Sequence, residues 1–179
     1  TVAQDILVTP KLPEGLHPAL AMAMPDALQM VVLTDDPAVM EPGAEATFTE
    51  SGLAIFRILS NPKTTQGDFI ENFLEGRQET EGIDAMMPAM LDGTSISHGT
   101  LSATHALAQF NVQRGTLQVF GSRGKGVVNR FVLQCNGGGQ PVFGVWFMRE
   151  EIYSETPKVA DTDALSKMLQ PMKICGAPG

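Results

Sequence analysis

Residues 141–149 read PVFGVWFMR, and this stretch constrains the fold more than any other. Side chains alternate across a strand, so Phe143, Val145 and Phe147 share one face. Gly144, Trp146 and Met148 share the other. Both faces are apolar. A strand with one face in water shows a polar side, so this one belongs in the middle of a sheet covered on both faces. It needs strands on both edges and further layers above and below.

The chain just before it supplies candidate neighbours. TLQVFG (116–121) and VVNRFVLQC (127–135) are β-branched and apolar, and SRGKG (122–126) and NGGGQ (136–140) separate the three runs. A phosphate-binding loop needs G-x-x-x-x-G-K-S/T between a strand and a helix. Here Lys125 has no hydroxyl after it, and a strand pattern follows, so no helix N-terminus is at hand for an anion. The patches read as hairpin turns, with Gly124 and Gly126 supplying positive φ. Arg123 and Lys125 then form a basic loop tip on an otherwise acidic protein, and an anionic partner is one use for it.

Upstream, residues 1–26 carry Pro10, Pro13, Pro18 and Pro25 and read as an irregular lead-in. ALQMVVLTDD (27–36) reads as a strand. Residues 42–62 read as a hairpin turning at ESG, with LAIFRIL as the return strand and Asn61-Pro62 as its stop. DFIENFLEGRQ follows as a helix, with Phe69, Ile70, Phe73 and Leu74 on one side and Glu71, Glu75 and Arg77 on the other. Residues 83–91, IDAMMPAML, suit a short helix interrupted at Pro88. Residues 95–115 admit a helix or a strand. The alternation of Thr104, Ala106, Ala108, Phe110 and Val112, bounded by Gly99 and Arg114-Gly115, favours a strand. The chain closes with a helix capped at Asp161, Thr162 and Asp163, with Leu165, Met168, Leu169 and Met172 as its apolar side.

Strands, helix, strands, helix is the order of an α+β domain: an antiparallel meander with two main helices packed on it. Residues 27–179 form this single domain, a normal size for 179 residues. In element order across residues 27–175, the chain is similar to PsbP-like domains. There a long helix follows the first strands and another follows the last hairpin. The resemblance implies an α/β sandwich, and no sequence motif carries it.

Composition narrows the partners. Lys and Arg number 12 against 20 Asp and Glu, a formal charge of −8. Such a surface repels phosphate backbones, so nucleic acid is a poor partner. No apolar run approaches the ~18–20 residues of a membrane span. The chain opens on TVAQD rather than Met, which reads as the segment after a signal cleavage site. There are two cysteines, Cys135 at the end of a strand and Cys175 after the last helix. A disulfide between them would tie the C-terminal segment to the sheet and fit a periplasmic or secreted protein, whereas two buried thiols would fit a cytosolic one.

Catalytic patterns are missing. His17, His98 and His105 show no metal-ligand spacing, G-x-S-x-G is absent, and nothing selects an acid/base pair among the carboxylates. No cofactor or metal is expected. Ten methionines stand out, with Met86, Met87 and Met90 grouped. Thioethers adapt to irregular apolar surfaces, and in an exported protein they also bind Cu(I). A ligand or partner site is therefore expected at Met86, Met87, Met90, Phe73 and Trp146. The expected function is that of an exported bacterial protein that works by binding another protein, as an envelope accessory or an inhibitor. The alternatives are a binder of small apolar ligands or Cu(I), and an enzyme assembled from dispersed residues.

Overall fold

The computed structural model describes residues 16–24, 28–35, 51–58, 66–75, 89–103, 106–119, 122–136, 141–155 and 160–169. Seven strands make one antiparallel sheet: β1 (His17–Met24), β2 (Leu28–Thr34), β3 (Ser51–Ile58), β4 (Ala89–Ala103), β5 (Ala106–Val119), β6 (Ser122–Cys135) and β7 (Val142–Arg149). Their spatial order is β1-β2-β3-β7-β6-β5-β4. Two meanders, β1–β3 and β4–β7, are joined where β3 pairs antiparallel with β7. Three helices are described: α1 (Gln66–Glu75), α2 (Glu150–Glu155) and α3 (Thr162–Leu169). The α+β class follows, and none of these helices is long and apolar enough to cross a membrane.

β7 lies between β3 and β6 with every residue from Val142 to Met148 buried, as its two apolar faces require. One face gathers Val31, Leu53, Phe131, Trp146 and Met148 with Leu165, Met168 and Leu169 of α3. The other gathers Met30, Phe56, Val132, Phe143 and Phe147 with Ile70 of α1. α1 and α3 thus bury their apolar stripes on opposite faces of the sheet, the main source of helix stability in a folded chain.

The path of α1 follows from topology. β3 sits mid-sheet and the next strand, β4, is the far edge, so the connection must cross β7, β6 and β5. On the way, Phe73 meets Phe56 and Phe143 edge-on at 5.5 and 5.1 Å, while those two rings stack on each other at 5.1 Å. Such arrangements follow the ring quadrupoles.

α3 starts where its sequence signature puts it. The Asp161 carboxylate accepts a hydrogen bond from the Asp163 amide at 2.9 Å, and the Asp161 carbonyl accepts one from Leu165 N at 3.0 Å. Asp161→Ala is expected to lower stability by about 1 kcal/mol, read as a lower urea midpoint with unchanged slope.

Several expectations need correction. The stretch 95–115 is extended, but as parts of two strands whose connection falls at residues 104–105. Gly99 lies inside β4, and Arg114 and Gly115 lie inside β5. SRGKG is not a turn. Ser122 through Gly126 pair with Val119 through Gly115, so the β5–β6 connection is at residues 120–121. Neither Gly124 nor Gly126 has a positive φ. Gly126 serves close approach instead, since a Cβ there would meet the Leu117 side chain at 2.5 Å. The ESG turn fails likewise, because Ser51 and Gly52 pair with Met148 and Phe147 as the first residues of β3. The supposed lead-in contributes edge strand β1, paired with β2. Ala89 to Leu91, read as part of a short helix, begin β4. The short helix α2 was not foreseen. Arg114 forks onto the Glu150 carboxylate and lies over the Tyr153 ring at 5.8 Å, which holds α2 to β5.

Candidate functional site: the groove beside the edge strand

Where α1 ends above β5, its last carbonyls need donors, because the final turn of a helix has no intrahelical partner for them. Two β5 side chains supply these donors. Asn111 Nδ2 donates to the Leu74 carbonyl at 2.7 Å, and Gln113 Nε2 donates to the Glu75 carbonyl at 3.0 Å. Behind them, Arg130 Nε of β6 donates to Gln113 Oε1 at 3.0 Å, and its guanidinium lies 5.9 Å from the Phe73 ring centroid. Ser95 of β4 donates its hydroxyl proton to Asn111 Oδ1. α1 has no basic residue in its last turn, so Arg130 provides the cation that its C-terminal dipole favours. Asn111, Gln113 and Arg130 are 8%, 7% and 9% exposed.

This network ties the end of α1 to β5, beside an open groove of about 720 Å³ between α1 and the β4–β5 hairpin. Ile70, Glu71, Leu74 and Glu75 of α1 form one wall. Across from them stand Ser95, His98 and Thr100 of β4, with Gln109 and Asn111 of β5 and Gln134 of β6. The apolar wall and the two carboxylates favour a ligand with apolar and cationic parts. The described lining contains no lysine or arginine. Asn111→Leu removes both the cap on Leu74 and the partner of Ser95. It is expected to cost about 2 kcal/mol in urea unfolding and to speed amide exchange at the end of α1. An unchanged midpoint would mean that the network does not hold the helix.

The groove opens onto β4, which has no described strand on its outer side. β4 runs 15 residues, long for an edge. Residues 93–103 carry no Asp, Glu, Lys or Arg, the usual protection against unwanted pairing. The edge has a bulge between Ser95 and Ser97, which leaves Ile96 out of register with β5 and 46% exposed. Gly93, Thr94, His98, Thr100 and Ser102 are exposed as well.

The residues expected to form a site are scattered. Phe73 lies on the α1 face, within the Phe56–Phe143 cluster. Trp146 is buried in the cluster on the α3 face. The sheet separates them, so they cannot line one pocket. The reason is the alternation along β7: Phe143 faces α1, and Trp146, three residues on, must face the other way. Met90 is in β4, while Met86 and Met87 lie outside the described residues. Arg123 and Lys125 are paired residues of β6 rather than a loop tip, and Lys125 is exposed. His98 lines the groove, whereas His105 is outside the described residues. Among the described residues no three His, Cys, Asp or Glu side chains gather as a metal site would require.

Burial lowers the Arg57 guanidinium pKa from its ordinary value, and its Nε has no hydrogen-bond partner. Arg57 pairs with Val142, on the face away from the groove. Cys135 packs at the margin of the α3 cluster, and no described cysteine is free. Cys175 is outside the described residues. Sequence reasoning missed Asn111, Gln113 and Arg130, although Asn111 and Gln113 alternate with buried Phe110 and Val112. Compared with known families and with curated proteins, the chain matches no family model and no curated sequence.

Proposed function

We propose that this chain is an exported bacterial binding protein that acts through contact with another protein rather than by catalysis, as an envelope accessory or an inhibitor. The observation that carries this reading is the β4 edge. A long edge strand whose residues 93–103 carry no Asp, Glu, Lys or Arg, with Ile96 exposed, is a template for strand addition, and charged side chains are one means by which unused edges are blunted.

Export rests on the disulfide between Cys135 and Cys175. Two observations support it. Cys135 carries no free thiol, and it shares its cluster with Met168 and Leu169 at the end of α3. From Leu169 to Cys175 the chain can extend about 20 Å, enough to return to β6. Helices on opposite faces of one antiparallel sheet support the finer reading of the fold as a PsbP-like sandwich.

A photo-crosslinking residue in place of Ile96 tests the function in the cells that make the protein. The expected result is a covalent adduct with one other protein. The same residue in place of Glu151, exposed on α2, should give none. No adduct at Ile96, or equal adducts at both positions, would reject the reading.

A further inference from the structure

We infer that the groove beside β4 takes an extended basic segment of the partner protein, laid along the edge as an added strand. This deepens the protein-binding reading and rests on it. An added strand takes its affinity from main-chain hydrogen bonds and its specificity from alternate side chains. Alternate residues of a strand paired to β4 point to the α1 side of the sheet, into the groove. There they meet Ile70 and Leu74, which suit aliphatic side chains. They also meet Glu71, which is exposed and suits lysine or arginine. The described lining holds no Lys or Arg, and the whole chain carries −8, so the field favours a cationic segment during approach.

The same charge argues against a second copy of this chain on β4. Pairing two copies would bring two Glu71/Glu75 walls and two charges of −8 together. An acidic segment meets the same objection.

The test uses the full chain and a labelled, capped peptide alternating lysine with valine and leucine, followed by fluorescence anisotropy. Binding is expected, and it should weaken as salt is raised, because exposed charges are screened. Glu71→Lys should weaken it by about tenfold or more, and Glu71→Gln by less. Glu71 is exposed on α1, and circular dichroism checks that both variants keep the fold. The peptide with glutamate for lysine should not bind. A lysine peptide N-methylated at alternate backbone nitrogens should lose binding, because it lacks the ladder donors. Equal binding of the glutamate peptide, equal binding of the N-methylated peptide, or no binding of the lysine peptide would each overturn the inference. So would sedimentation showing that the chain dimerises through β4. If Ile96 still captures one protein in cells while the lysine peptide fails, the basic-segment inference falls and the protein-binding reading stands. If Ile96 captures nothing, that reading falls first.

Discussion

Reducing the protein is expected to lower its stability by about 4 kcal/mol, seen as a large fall in the urea midpoint. The loop between Cys135 and Cys175 spans about 40 residues, and closing a loop of that length restricts the unfolded chain by roughly this amount. Cys135 is the last residue of β6, a strand inside the sheet, and it lies against the cluster that α3 completes. A bridge from Cys135 to Cys175 would tie the C-terminal segment to the sheet beside the cluster where α3 is docked. A variant carrying both Cys135→Ala and Cys175→Ala should match the reduced protein and ignore reductant. If reductant leaves the midpoint of the unaltered chain unchanged, and two thiols titrate without unfolding, the bridge is absent and the argument for export goes with it.

Gly144→Val is expected to cost about 3 kcal/mol. Gly144 pairs with Phe131 across β6 and β7, and the Phe131 ring lies over the space a side chain would take. A Cβ on Gly144 would stand 2.7 Å from Phe131 Cε1 and nearer still to Cε2 and Cζ. Phe131 is fully buried beneath α3, so the ring has nowhere to move without opening the cluster. The opposite face has its own version. Phe147 covers Gly52 of β3, where a Cβ would lie 2.6 Å from Phe147 Cε2. Each face of the sheet seats a large ring by leaving a gap on the neighbouring strand. Combining Gly144→Val with Phe131→Leu should recover part of the loss, a favourable coupling between the two sites. Strictly additive losses would mean that the ring does not fill that gap.

These glycines also show why the sequence was legible in part. The two apolar faces of residues 142–148 require a central, doubly covered strand, and β7 is one. The Asp161 cap and the Leu165, Met168, Leu169 stripe identify α3 for the same local reasons. Glycine is ambiguous by comparison. In a strand-rich sequence it can permit a turn or a close approach, and only the register decides. Gly99, Gly115, Gly124 and Gly126 look like turn residues and sit inside β4, β5 and β6.

The groove was hidden for a different reason. It depends on α1 running from mid-sheet to the far edge, a consequence of strand order that no local pattern encodes. Asn111 and Gln113 look like the solvent side of an amphipathic strand, yet they cap a helix more than thirty residues earlier. Phe73 and Trp146 both read as pocket residues until the sheet is placed between them.

The most direct test of the account is a native mass spectrum of the protein recovered from the cells that make it, with and without reductant. The account predicts a complex of this chain with a different polypeptide. It also predicts that the released chain is two hydrogens lighter before reduction than after. A bare monomer, or a dimer of the chain alone, with both thiols free would contradict the protein-binding role and the export together.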